Sequence, residues 1–143
     1  MDKAYIAGYM DGEGCFAATK RKDESYKRGY DIFANVSVSS VSSIVLKEIQ
    51  SIYGGSICTK QRNKRHKPLM VLTLASKACV TLINDILPHL KLKHEQASLI
   101  LELQSTRAYG NHNKGAILDR RDEIRARIKT LNKRGIEVVD TKS

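Results

Sequence analysis

Ile6-Ala7-Gly8-Tyr9-Met10-Asp11-Gly12-Glu13-Gly14 sets small residues at helical spacing and then puts two carboxylates where a helix should end. Ala4, Gly8 and Gly12 stand four apart, so they share one face of a helix there. A glycine inside a helix costs about 0.5–1 kcal/mol relative to alanine. Two on one stripe imply that another backbone approaches closely. Asp11 and Glu13 fall at the negative end of the helix dipole, the wrong end for acids. A divalent cation accounts for that placement better than packing does.

The stretch resembles the LAGLIDADG motif of homing endonucleases, L-A-G-L-I-D-A-D/E-G. The rest of the chain extends the resemblance. The spacing predicts a helix over 3–12 and strands over 14–21 and 29–39, joined by the charged loop Lys22 to Arg28. In the second strand Tyr30, Ile32, Ala34, Val36 and Val38 alternate with Asp31, Phe33, Asn35, Ser37 and Ser39. That is a half-buried strand whose polar face is interrupted by Phe33. A helix follows over 41–53, capped by Ser39 or Ser40 and ended by Gly54-Gly55. A second hairpin occupies 56–61 and 68–74, around Asn63 to Lys67.

A helix over 76–87, capped by Ser76, stops at Pro88. Helices over 93–108, ended by Gly110, and 116–133, closed by Gly135, complete the chain after a polar loop at 111–115. The predicted class is α/β (α+β): an αββαββα core with an antiparallel DNA-binding sheet and extra C-terminal helices. One domain spans 1–135, and 136–143 reads as a flexible tail. A chain of 143 residues suits one domain with a sizeable core.

Lys and Arg number 25 against 15 Asp and Glu, a net charge of +10. That balance points to a polyanion, most simply nucleic acid. A membrane surface fits less well, because the basic runs lie in loops and not on an amphipathic helix. A basic soluble protein without such a partner is the plain alternative. Cys15, Cys58 and Cys79 are an odd count without a CxxC pair, which argues against a disulfide framework or zinc site. The expected setting is a reducing compartment, organellar or cytoplasmic, with no targeting segment before the motif helix. His66, His89, His94 and His112 have no metal-ligand spacing and read as surface or structural residues.

The resemblance implies more. Single-motif chains of the family are homodimers, and only one motif is present. Ala4, Gly8 and Gly12, with Tyr9 beside them, should therefore meet a second copy, and the target should be near-palindromic. The resemblance assigns Glu13 as the metal-binding acid, with the Gly12 carbonyl as a further ligand for Mg²⁺. Ca²⁺ should support binding without cleavage. Asp11 is expected to order the helix end. Lys93, in Leu90-Lys91-Leu92-Lys93, matches the family's active-site lysine, which organises water or offsets phosphate charge. Some members of the family carry a Gln and an Arg near the start of the second core helix; here that region reads Val38-Ser39-Ser40-Val41-Ser42-Ser43, with small hydroxyls in place of longer polar groups.

Counting outward from Glu13 puts Cys15, Ala17, Thr19 and Arg21 on the DNA face of the first strand. Asp31, Phe33, Asn35 and Ser37 follow on the second. Arg21 suits a guanine edge and Asn35 an adenine edge. The third strand has two phases, Ile57, Thr59 and Gln61 or Ser56, Cys58 and Lys60, and the resemblance favours the first. Basic runs at Lys20, Arg21, Lys22, Lys27 and Arg28 and at Lys60, Arg62, Lys64, Arg65 and Lys67 should meet phosphates. Arg120, Arg121, Arg125 and Arg127 read as a solvated face of the last helix. The implied activity is site-specific, metal-dependent double-strand cleavage of DNA. An RNA maturase and a non-catalytic DNA-binding regulator on the same scaffold are the alternatives.

Overall fold

A computed structural model describes the chain apart from Arg62, His66, 108–114 and 141–143, and without side chains over 134–140. The elements run α1 (Lys3–Glu13), β1 (Gly14–Lys22), β2 (Tyr30–Ser40), α2 (Ser43–Tyr53), β3 (Ser56–Lys60), β4 (Leu69–Leu74), α3 (Lys77–Ile86), α4 (His94–Ser105) and α5 (Gly115–Asp140). The four strands form one antiparallel sheet in the order β1-β2-β4-β3, and the αββαββα order is as the sequence predicts.

The alternation in β2 decides which face is the core. Ile32, Ala34, Val36 and Val38 are buried, and their partners across the register, Ala18, Phe16, Leu74 and Leu72, are buried with them. The helices cover this face. Ile6, Ala7 and Met10 of α1, Leu46 and Ile49 of α2, Leu82, Ile83 and Ile86 of α3, Ile100 and Leu103 of α4, and Ile124 and Ile128 of α5 complete one core. Each buried aliphatic side chain of this kind contributes about 1.5–3 kcal/mol. The other face of the sheet carries no helix-borne core, so its side chains are the ones open to a partner. No described helix is long and apolar enough to cross a membrane.

Several boundaries differ from expectation. β2 runs through Ser39 and Ser40, so α2 is capped instead by Ser42, whose hydroxyl accepts from the Ile44 N–H. Gly54 closes α2 with a positive φ of 88°, a region that suits glycine. Ser76 precedes α3 at φ 54° without a side-chain cap. Pro88 lies in a single 3-10 turn, Leu87–His89, directly after α3. α4 ends at Ser105, and α5 passes through Gly135 to Asp140, beyond the stop the glycine suggested. The expected stop at Gly110 and most of the loop over 111–115 lie outside the described residues.

Candidate active site and nucleic-acid interface

Glu13 is the last residue of α1, and the chain turns straight from it into β1. Gly14 makes that turn possible. A Cβ there would stand 2.5 Å from Met10 Cε and 2.8 Å from the Met10 carbonyl oxygen. The Glu13 carboxylate is exposed, and among the described residues it has no hydrogen bond or ion pair. It borders a cleft of about 370 Å³ shared with Tyr9, Ser39, Ser40, Val41 and Leu69. The backbone of Glu13 is thus fixed by the helix end and the turn, and its carboxylate keeps its acceptor capacity.

Asp11 has a different assignment from the one expected. Its carboxylate accepts from three successive backbone N–H groups, Lys91 at 2.7 Å, Leu92 at 3.1 Å and Lys93 at 3.0 Å. It therefore orders the entry to α4, not the end of its own helix. Two of these bonds are open to water, so the three together contribute about 2 kcal/mol. Backbone donors thus account for an acid at the wrong end of α1, and no cation is required at Asp11. The same contact fixes Lys93, whose ammonium donates to the Gly14 carbonyl. Lys93 and Glu13 are thereby brought to the same end of α1.

Among the described residues no three His, Cys, Asp or Glu side chains cluster as a metal site. The local donor set is one free carboxylate with the Gly12 and Glu13 carbonyls nearby. That set fits a hard cation which keeps water and takes phosphate oxygens, as Mg²⁺ does. It does not fit a closed structural metal centre.

Gly8, Gly12 and Ala4 lie exposed along α1, with half-buried Tyr9 beside them. A Cβ at Gly8 or Gly12 would meet nothing within 4 Å in this chain. Their smallness has no purpose inside the fold. Tyr5 stacks on Tyr9 with ring centres 6.4 Å apart, and Tyr5 is 52% exposed. The same helix thus presents a smooth strip and an aromatic pair to the outside.

On the open face of the sheet, the register aligns Cys15 with Ser37, Ala17 with Asn35 and Thr19 with Phe33. All six are half-buried or exposed, as the sequence predicts. Arg21 is exposed at the end of this row, and Lys22 is exposed in phase with Tyr30 on the helix side. The second hairpin corrects the expected phase. Ile57 pairs with buried Leu72 and Thr59 with Met70, so Thr59 shares the core-side phase. Ser56, Cys58 and Lys60 pair with Thr73, Val71 and Leu69 and lie on the open face. Gln61 falls after β3 and donates to the Asn63 carbonyl at 2.8 Å. Lys64 and Arg65 are exposed in the loop, whereas Arg62 lies outside the described residues.

Asp31 does not face a partner at all. It is 1% exposed and bonds to Arg121 at 3.1 Å, Arg28 at 3.1 Å and Arg107 at 2.6 Å, with the Ile32 N–H at 2.7 Å. Burial pushes its carboxyl up, but the Ile32 N–H, Arg107 and Arg121 together hold it below the usual range. β4 pairs with β2 only from Val36 to Ser40. The free edge before Val36 is where Asp31 folds back and the arginines close over it. Arg28 also binds Asp122 at 2.9 Å, so it is structural and not a free phosphate contact.

Arg121 is fully buried, against the expectation of a solvated face, and it also donates to Thr106 Oγ1 at 2.8 Å. Arg120 and Arg127 do lie exposed, paired with Glu102 and Glu95. Arg107, Arg121 and Asp122 carry no local sequence signal, because each acts on β2 or its hairpin across at least 75 residues.

An αββαββα chain with one open antiparallel face, and an exposed carboxylate at the end of a small-residue helix, has the architecture of the LAGLIDADG fold. The chain belongs to the LAGLIDADG endonuclease family, whose model matches residues 6–109. The DNA endonuclease I-CvuI of Chlorella vulgaris is 28% identical over 102 residues, which are 70% of this chain and 62% of that protein. The match thus spans under two thirds of the relative's length. Solved structures agree on the fold. I-CvuI in complex with its target superposes with a TM-score of 0.73 at 25% identity, covering 90% of this chain and 80% of that one. The archaeal intron-encoded homing endonuclease I-Vdi141I, complexed with DNA, gives a TM-score of 0.74 at 18% identity, covering 90% and 82%.

Proposed function

We propose that this protein is a site-specific homing endonuclease that binds double-stranded DNA as a homodimer and cuts both strands by metal-dependent hydrolysis. The observation that carries the reading is the free Glu13 carboxylate beside the tethered Lys93. Family membership supports it, as do Arg21 and Lys60 on the open face and the exposed Lys64 and Arg65 in the second hairpin loop. The relative I-CvuI was solved on DNA with 2 mM Mg and with 2 mM Ca, which supports use of a divalent cation.

In hydrolysis a water oxygen bonds to phosphorus and gives up a proton to solvent, the P–O3′ bond breaks, and the leaving O3′ takes a proton from solvent. Glu13, with the Gly12 carbonyl, would hold Mg²⁺; when bound, it supplies Lewis-acid stabilisation of phosphate charge. The Lys93 ammonium, anchored on the Gly14 carbonyl, offsets the charge that builds on the phosphoryl oxygens. Ser39 and Ser40 line the same cleft and can orient water there. Two copies joined along Gly8 and Gly12 bring two Glu13 residues together, one for each strand. The open faces of both sheets enter the major groove, with Thr19, Arg21, Phe33, Asn35 and Ser37 towards base edges and the loop at Lys64 and Arg65 towards phosphate.

The test is a cleavage selection from a randomised DNA library in Mg²⁺. Recovery of cut sites with near two-fold symmetry supports the proposal. Sequence-specific binding without any cut product supports a DNA-binding regulator. Activity only on structured RNA supports a maturase.

A further inference from the structure

The geometry points to Arg107 as a positioning residue that, through the Phe33 ring, sets how Arg21 reaches into DNA. The inference rests on the proposed DNA-binding reading and adds a specificity element to it. Asp23 N–H donates to the Gly29 carbonyl at 2.9 Å at the mouth of the first hairpin. Antiparallel pairs alternate from there, so the Ile32 N–H and carbonyl point away from β1. β4 begins pairing only at Val36, which leaves that edge open.

Arg107 follows the end of α4, in the helical layer, and closes over this edge. Its Nη2 donates to the Ile32 carbonyl at 2.5 Å and to Asp31 at 2.6 Å. Its guanidinium carbon lies 4.8 Å from the centre of the Phe33 ring.

Phe33 is the residue that interrupts an otherwise polar face. Its ring also carries Arg21, whose guanidinium carbon is 5.1 Å from the ring centre. Arg21 is opposite Asp31 and Phe33 opposite Thr19, so Arg21 and Phe33 are diagonal neighbours, within reach of long side chains. Two guanidiniums on one ring explain an aromatic side chain at a position where a base-reading polar group is expected. Arg107 is fixed by two hydrogen bonds and fixes the ring. The ring in turn restrains Arg21, an exposed side chain that would otherwise lose rotamer freedom on binding. A restrained arginine at this place suits bidentate contact to guanine O6 and N7.

The experiment measures base preference, position by position, for binding to a randomised half-site library in Ca²⁺. The proteins are wild type, Phe33→Leu, Arg107→Lys and Arg21→Lys. Arg107→Lys keeps the charge opposite Asp31 but not the planar stack. All three substitutions should lower guanine preference at one shared position per half-site, by about fivefold to tenfold. Preferences elsewhere should stay within about twofold. A uniform loss of affinity with an unchanged profile, or loss of a thymine preference in Phe33→Leu, overturns the inference.

A second measurement needs no DNA. Arg21 δ-proton resonances should be shifted by the ring current in wild type and unshifted in Phe33→Leu. Unshifted Arg21 protons in wild type also overturn it. A wild-type protein that selects no sequence contradicts the DNA-binding reading, and the resonance measurement then decides the stack alone.

Discussion

The Lys93 ammonium donates to the main-chain carbonyl of Gly14, the residue that follows Glu13. Asp11, two residues before Glu13, holds the Lys93 N–H from below at 3.0 Å. One end of α1 therefore carries an exposed acid, and the residue that precedes α4 brings its ammonium to the next carbonyl along the chain. The two are locked by contacts spanning about 80 residues.

Asp11→Ala should release the three N–H groups ahead of α4. Stability should fall by about 2 kcal/mol in urea unfolding. Cleavage should fall further than binding, because Lys93 loses its anchor while the sheet is untouched. An activity loss no greater than the binding loss would mean that Asp11 does not position Lys93.

The glycines of α1 should separate into two kinds. Gly14→Ala meets Met10 and should cost about 1–3 kcal/mol in the isolated chain. Gly8→Ala meets nothing within 4 Å, so it should leave the chain as stable or up to about 1 kcal/mol more stable through helix propensity. The same Gly8→Ala should weaken self-association measured by sedimentation. Unchanged self-association would argue against pairing along this strip.

Much of this arrangement is legible in the sequence, for reasons that are local. Period-two alternation in 30–39 identifies the core face of β2, and Gly54 and Pro88 mark helix ends through backbone chemistry. The unread parts depend on distant partners. The phase of β3 follows from Ile57 sitting opposite Leu72, a register that its own five residues do not encode. Asp31 alternates like a surface residue, and only the missing stretch of β4 pairing lets Arg107 and Arg121 enclose it. Arg121 lies in a run of charges that looks solvated, and its burial follows from Asp31 and Thr106 beneath it.

The Asp31 cluster gives the protein an acid-sensitive joint. Its carboxyl is held below the ordinary value, so its contribution is complete above the unfolded-state pKa of about 4. The contribution is lost as pH falls through the lower folded value. Asp31→Asn leaves three arginines without their acid and should cost about 3–5 kcal/mol at pH 7. The stability gap between wild type and this variant, measured by urea unfolding, should narrow as pH drops below about 4. A gap that stays constant down to pH 2 would contradict a depressed Asp31 pKa.

The cysteines report which face DNA covers. Cys15 and Cys58 are exposed on the open face, whereas Cys79 is buried, its thiol pushed up to about 11 by burial. Alkylation should therefore label Cys15 and Cys58 and spare Cys79. Bound target DNA should slow labelling at Cys15 and Cys58 by about tenfold or more. Equal labelling of both with and without DNA would put the bound nucleic acid elsewhere.

The most direct test of the central claim compares wild type with Glu13→Gln on a selected target, measuring binding in Ca²⁺ and cleavage in Mg²⁺. The substitution keeps the size of an exposed side chain and removes its charge. Affinity should stay within about twofold of wild type, and the cleavage rate should fall by at least about a hundredfold. Cleavage at the wild-type rate by Glu13→Gln would contradict Glu13 as the residue on which the reaction depends.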